Sequence, residues 1–544
     1  EEVLAPINSI GDKNGAIFDE GIVKMPPGFK EAYEKFTKAG WSSISLPSDI
    51  GGGGLPYGLS AAILEILCTA NMAFVLGPGL SIGAISGINF HANQGQKDMY
   101  LPDLVSGNWT GTMNLSEPQS GSDLSNISTK ATKQDDGTYR ITGTKIWIGS
   151  GEHDLSENII HLVLAKVPGS PEGTKGISMF IVPKFVVNDD SSLGGHNKVN
   201  CISIEEKLGI HGSPTCVMEY DGSVGYLIGE ENMGLNYMFT TINEARIRAG
   251  GHGLACTSGA LQGASQYARD RVQGRPVGMT KEEAKDSSII DHADVRRTLM
   301  TIKSYLDAMR YMNYDNHLML DLEYFAEGEL KDFGKERCGI LTPITKAWIS
   351  DLSVELTSMA IQVYGGMGYV EETGIAQYFR DARIAPIYAG TNGIQAEDLV
   401  FRKITLNDGK AVESLLKEMR TNISSMKEHE NLEPLSEILE RHVAEIEEAT
   451  QYLLKELGKG NLAGVSASGT PYLKMFGQVL GGHYMGKAAV TATKNLLEDN
   501  TEFYNDKFTL SKFYIEQLLP LASSYFSSVM LGKENLYSID SNSF

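Results

Sequence analysis

Met113-Asn114-Leu115-Ser116-Glu117-Pro118-Gln119-Ser120-Gly121-Ser122-Asp123-Leu124 stands just past the point where the texture of this 544-residue chain changes. Ahead of Trp109, segments such as Gly58 to Asn71 and Gln94 to Val105 carry the helical period between Gly-rich connections, and residues 1–108 read as a helical domain. Behind it, strand-like runs follow one another: Ser128 to Lys133, Tyr139 to Ile148 after the Asp136-Gly137 turn, Ile159 to Val167, Ile177 to Val182 and Val217 to Tyr220. Residues 109–233 are therefore expected to form a small β domain. In the quoted stretch, small residues at Ser120, Gly121 and Ser122 let a backbone approach a ligand closely. The hydroxyls of Ser116 and Ser122 suit phosphate or ring carbonyls. A Ser/Gly turn between strands is the plainer explanation of the same residues.

After Gly234 the period is helical, most cleanly where Val295, Leu299, Ile302, Leu306 and Met309 recur at three- and four-residue steps. These positions are expected to face a helix bundle over 234–405. Residues 406–544 read as a further helical extension, amphipathic around Val412 to Met426 and Leu435 to Leu457. With 42% apolar residues and no run read as long enough to span a bilayer, the chain is expected to build several cores. Its 68 acidic against 47 basic side chains, net -21, argue against nonspecific nucleic-acid binding, so an anionic ligand has to be met by local positive groups. The five cysteines have neither CxxC nor zinc-finger spacing, which fits a reducing compartment and offers no metal site. The expected location is cytoplasmic, although targeting is weakly constrained because the chain opens on Glu1, with neither a signal-peptide pattern nor a Met. The Gly51-Gly52-Gly53-Gly54 run lacks the strand and the Gly-Lys-Ser/Thr of a phosphate loop and reads as a flexible turn.

Three further segments stand beside the first. In Lys145-Ile146-Trp147-Ile148-Gly149-Ser150-Gly151 an indole ends a strand among small residues, which fits either a core tryptophan or a wall for a flat heteroaromatic ring. Tyr267-Ala268-Arg269-Asp270-Arg271-Val272-Gln273-Gly274-Arg275 ends a helix. Gln362-Val363-Tyr364-Gly365-Gly366-Met367-Gly368-Tyr369 runs on through Arg380-Asp381-Ala382-Arg383 to Ile387-Tyr388-Ala389-Gly390-Thr391-Asn392-Gly393-Ile394-Gln395. In order and spacing the four segments resemble the acyl-CoA dehydrogenase family from Met113 to Gln395, and the N-terminal region is compatible with that family's helical domain.

The resemblance implies an α+β, mainly α fold: an N-terminal helical domain, a middle β domain and a C-terminal four-helix bundle, here with the helical extension added. It also implies FAD as the cofactor. By matching positions, Met113, Leu115, Ser116, Gly121 and Ser122 would contact the flavin or its ribityl chain, and Trp147 would stack near the isoalloxazine. Gly149 stands where many members carry a Ser or Thr that bonds flavin N5, and it offers only a backbone N–H. Arg271 and Gln273 would reach the FAD of the same site, and Thr391 would also touch it. Gln362, Gly365 and Gly366 would hold the adenine end from a neighbouring subunit, so a homodimer or homotetramer is implied. For an acyl-CoA substrate the matching positions are Ser122, Ser213, Arg246, Tyr388 and Gly390, with Arg246 as the cation near the ligand's phosphates.

Desaturating an acyl thioester removes the α-proton and transfers the β-hydrogen as hydride to flavin N5, so enolate-like charge must be stabilised and a carboxylate must reach the proton. In most members the glutamate occupies the position of Ala389; in a minority it immediately precedes the arginine matched by Arg246, which is Ala245 here. Neither methyl group takes a proton. Glu244 is one helical step away, rotated by roughly 100°, and reads as a solvated or capping carboxylate. Two accounts of Ala389 stand: an introduced Glu-to-Ala replacement that traps a bound thioester, favoured by the otherwise intact pattern around it, and a natural loss in a binding-only relative.

Lys207-Leu208-Gly209-Ile210-His211-Gly212-Ser213-Pro214-Thr215-Cys216, the Gly151-Glu152-His153-Asp154 turn, Gly390 to Gln395 and the extension resemble a longer branch of the family. That branch includes the 3-methylmercaptopropionyl-CoA dehydrogenases of dimethylsulfoniopropionate demethylation and long-chain enzymes. The implied reaction is desaturation of an acyl-CoA, 3-methylmercaptopropionyl-CoA foremost, with electron-transfer flavoprotein as acceptor. A short- to long-chain fatty acyl-CoA dehydrogenase, an acyl-CoA oxidase and a noncatalytic flavin and acyl-CoA binding protein are the alternatives. His153 and His211 read as turn or structural residues.

Overall fold

Residues Tyr57–His91 form helix α1 of the computed structural model, which describes residues 1–496 and 501–544 in two units, Glu1–Ala245 and Arg246–Phe544. α1 is long and apolar enough to cross a membrane, which corrects the expectation that no run is. Packing accounts for that character: Ala84, Ile85 and Ile88 are buried in one core with Leu162, Leu164, Ile177 and Met179 of the sheet. The helix breaks at Asn71 (φ -163°, ψ 88°). There the Asn71 side chain accepts from Phe74 N at 3.0 Å and donates to Leu4 O at 3.4 Å, replacing the lost helical bonds. The Gly51 to Gly54 run is a fixed turn rather than a flexible one: Gly53 N donates to Ser43 O and Gly54 N to Leu46 O, both at 2.9 Å.

The sheet of the first unit comprises β1 (Trp109–Asn114), β2 (Lys130–Lys133), β3 (Tyr139–Gly149), β4 (Asn158–Lys166), β5 (Ile177–Pro183), β6 (Val199–Ile204) and β7 (Thr215–Leu227). Pairings run from β7 through β3, β2, β4 and β5 back to β7, closing a ring. β6 adds to β7 and β1 adds parallel to β4. Apolar alternation does not pick out β1, because three of its buried side chains, Thr110, Thr112 and Asn114, are polar. Thr110, Thr112 and Asn114 are bonded to His153, His161 and Tyr220 at 2.9, 2.6 and 3.0 Å. Burial brings both histidines down to about 3, so they stay neutral structural groups.

Helix α2 (Gly234–Asp270) straddles the boundary between the units along the chain. In the second unit it is followed by α3 (Ala293–Phe325), α4 (Gly328–Val363), the short α5 (Asn392–Asp398), and then α6 (Lys410–Lys427), α7 (Glu433–Gly458) and α8 (Leu462–Leu496) of the extension. Leu299, Ile302, Leu306 and Met309 of α3 are buried, with Val295 packed against them, and their core continues unbroken into the extension. Gly477 of α8 sits so close to α4 that a β-carbon there would stand 2.3 Å from Trp348 Cγ. The extension is therefore one wall of the bundle's own core.

Candidate active site

The loop leaving β1 is organised by a buried ion pair. Glu117 accepts from Lys145 Nζ at 2.9 Å, from the backbone N–H groups of Ser128 and Thr129 at 2.6 and 3.1 Å, and from Ser128 Oγ and Gln119 Nε2 at 2.8 and 2.7 Å. Burial pushes its carboxyl up, but Lys145 and these donors together outweigh that and hold it at about 2. Burial, only partly offset by Glu117, brings Lys145 down to about 8, so both groups are charged at neutral pH. Lys145 also donates to Leu115 O at 2.9 Å, and Ile146 N to Ser116 O at 3.0 Å. With its polar groups satisfied inward, the loop leaves Gly121 and Ser122 exposed and Met113, Leu115 and Ser116 half-buried. Nothing lies within 4 Å of where a β-carbon on Gly121 would be.

β3 carries the neighbouring loop. Trp147 adopts φ +62° and is 60% exposed, which excludes the core tryptophan. Gly149 pairs with Thr215 of β7, and Ser150 N donates to Pro214 O at 2.8 Å, so Gly149 and the buried Ser213 belong to adjoining chain segments. A β-carbon on Gly149 would stand 2.9 Å from Leu80 Cδ1 of α1. A hydroxyl side chain has no room there unless Leu80 moves.

In the second unit, Tyr267 near the end of α2 stacks on Tyr364 at the end of α4, with ring centroids 4.2 Å apart and planes 18° from parallel. Arg271 and Gln273 stand exposed just past the first of these helix ends, and Gln362, Gly365 and Gly366 stand exposed about the second. A β-carbon on either glycine would meet nothing within 4 Å.

The turn before α5 holds Ala389 at φ +54° beside Gly390 at φ +84°. A non-glycine residue pays roughly 1–2 kcal/mol for that region, so its surroundings must impose it. Thr391 Oγ1 caps α5 by accepting from Ile394 N at 3.4 Å, and Asn392 N donates to Pro386 O at 3.1 Å. Gln395 Nε2 donates to Gly390 O at 3.3 Å and Ala389 O at 3.5 Å. His252, brought down to about 3 by burial, bonds the Tyr388 hydroxyl through Nδ1.

Four family models tile the chain: the acyl-CoA dehydrogenase N-terminal domain over residues 16–108, the middle domain over 112–223, the C-terminal domain over 232–403, and an acetyl-CoA dehydrogenase C-terminal-like domain over 415–540. The 3-methylmercaptopropionyl-CoA dehydrogenase of Ruegeria pomeroyi is 41% identical over 531 residues, 97% of this chain and 90% of its own. The chain belongs to the acyl-CoA dehydrogenase family. Caenorhabditis elegans ACDH-11 in complex with C11-CoA matches with a TM-score of 0.77 at 18% identity, over 95% of this chain and 85% of its own. Acyl-CoA dehydrogenase from Bacillus anthracis complexed with FAD matches at 0.75 and 21%, over 93% and 83%. Both share the fold.

One sequence reading of this acyl-CoA dehydrogenase changes. Glu244 is not solvated: it is 4% exposed and accepts from Ser86 Oγ of α1 at 3.4 Å. Arg246 is buried, bonded through Nη1 to Asp398 at 3.3 Å, and its Nη2 would lie 3.7 Å from a β-carbon on Gly390. The sequence reading passes over Lys145 as the partner of Glu117, and over Leu80, His252, Lys346 and Gln395. All but Gln395 meet partners far away in the chain, and Gln395 meets backbone carbonyls, which no residue letter announces.

Proposed function

We propose that this acyl-CoA dehydrogenase desaturates short acyl-CoA thioesters, 3-methylmercaptopropionyl-CoA foremost, and that in this chain the α-proton acceptor is missing at Ala389. The substrate rests on the 41% identity to the Ruegeria pomeroyi enzyme along nearly the whole chain. The missing base rests on the Ala389 turn, which keeps a left-handed, multiply braced backbone around a methyl group.

FAD is the cofactor, and the residues present fit it. An exposed indole at Trp147 offers a flat wall, Gly121, Gly365 and Gly366 leave open space for close backbone approach, and Arg271 and Gln273 present unburied polar ends. When bound, FAD supplies the acceptor for the β-hydride. Ser116, Ser122 and Thr391 would donate to it, Arg271 would meet its pyrophosphate, and Gln362 would act from a neighbouring subunit of a homodimer or homotetramer. Ser213, Tyr388 and Gly390 would border the thioester, with Arg246 supplying positive charge. Alanine at 389 keeps the backbone N–H but has no atom that takes a proton, so binding outlasts turnover. Electron-transfer flavoprotein is the proposed acceptor, in a cytoplasmic setting.

A second reading, a noncatalytic flavin and acyl-CoA binding protein, is favoured by one observation. Glu244, the carboxylate nearest in sequence to the alternative base position, is itself buried against Ser86. The test of substrate is anaerobic mixing of FAD-loaded Ala389→Glu with 3-methylmercaptopropionyl-CoA, butyryl-CoA and a long-chain acyl-CoA, followed by flavin bleaching. Fastest bleaching by 3-methylmercaptopropionyl-CoA is expected. Fastest bleaching by either of the others rejects the substrate, and bleaching by none of them favours the binding protein.

A further inference from the structure

The left-handed pair Ala389 and Gly390 is imposed from outside the turn, and the strongest tie is the side chain of Asn392. Its Oδ1 accepts from Lys346 Nζ at 2.7 Å and Ser350 Oγ at 3.3 Å. Its Nδ2 donates to Asp351 Oδ1 at 2.7 Å, Ser350 Oγ at 3.0 Å and Ala347 O at 3.2 Å. All four partners lie on α4, and Lys346 is fully buried. Asn392 therefore fixes the start of α5 against a continuously buried stretch of the bundle. One turn further, the fully buried Gln395 reaches back to the carbonyls of Ala389 and Gly390. Reversing its amide would set Oε1 against two carbonyl oxygens, so the donor orientation follows from chemistry. The two side chains hold the turn at both ends.

We propose that Asn392, anchored by Lys346, is the positioning residue that aims the side chain at position 389, with Gln395 fixing the peptide planes on either side. The inference rests on 389 being the base position. An angular constraint of this kind acts on the chemical step: a misplacement of about 1 Å costs about 10²-fold in rate without changing the grip on the rest of the ligand. The long side chain of a glutamate at 389 would amplify any drift of the backbone beneath it.

The test uses the full chain, FAD-loaded, carrying Ala389→Glu. Adding Asn392→Ala, or the gentler Asn392→Ser that keeps a hydroxyl for Lys346, is expected to slow flavin bleaching by 3-methylmercaptopropionyl-CoA about 10- to 100-fold. The dissociation constant of that thioester should change by less than about threefold. Lys346→Met added to Asn392→Ala should slow bleaching little further, because the two act through one contact. In the flavin-free parent chain, amide exchange over residues 384–395 should rise in both Asn392 variants. A lowered melting temperature with unchanged bleaching and unchanged exchange over 384–395 marks a purely structural residue and overturns the proposal. If Ala389→Glu alone fails to bleach, the base assignment falls and the exchange decides for Asn392: a rise supports the anchor, no change rejects it.

Discussion

The loop after β1 and the turn before α5 are both braced from beneath, by opposite means. Glu117 and Lys145 form a charged brace, buried and ionised at neutral pH. Asn392 forms a neutral one, and its cationic partner Lys346 is pushed down to about 7 by burial, so it can shed its proton when uncompensated. A charged brace is unforgiving, because removing one member leaves the other stranded. A neutral one yields gradually, which suits a turn whose shape matters more to chemistry than to folding.

The difference is sharpest in the cost of truncation. Glu117→Ala should destabilise the first unit by about 3–5 kcal/mol, whereas Asn392→Ala should cost about 1–3 kcal/mol, both read by denaturant unfolding. Equal losses would erase the distinction. Gly149→Thr should come next at about 1–3 kcal/mol from overpacking, and Leu80→Ala should relieve it; a Gly149→Thr loss unaffected by Leu80→Ala would reject that contact.

Acid should weaken both regions alike. His153, His161 and His252 are brought down to about 3 and His317 to about 4, in each case chiefly by burial. The unfolded chain binds the extra protons below about pH 6.5. Stability is therefore full above that value and falls toward pH 3–4 by at most about 1.4 kcal/mol per pH unit for each histidine. Unfolding free energy that stays flat from pH 7 to pH 5 would contradict this. The smallest expected effect on folding is Arg271→Ala, within about 0.5 kcal/mol because the side chain is exposed. It should nevertheless weaken FAD binding, and unchanged FAD affinity rejects its role at the pyrophosphate.

What the sequence made legible follows from how far apart the causes lie. The helical period exposed the α3 face because Leu299, Ile302, Leu306 and Met309 report burial one turn at a time. β1 escaped because its buried side chains include two threonines and an asparagine whose partners lie elsewhere in the chain. Glu117 was visible as a letter, but its role depends on Lys145 across the sheet. The Ala389 segment stood out by resemblance, while its anchor did not: Asn392 is held by residues of α4 more than a full helix upstream. Arg246 stood out by resemblance, but its burial was not legible, since a charged residue's burial depends on a counter-ion, Asp398, that only the fold supplies.

The most direct measurement compares anaerobic flavin reduction in the FAD-loaded chain and its Ala389→Glu variant, mixed with the same saturating acyl-CoA. The present chain should bind the thioester and keep its flavin oxidised. Ala389→Glu should reduce it about 10²- to 10⁴-fold faster, the usual contribution of a positioned general base, with thioester affinity changed far less. That gain should fade on acidification as the new carboxylate takes up a proton. Normal FAD and thioester binding with no faster reduction at any pH would contradict the account and move the base away from position 389.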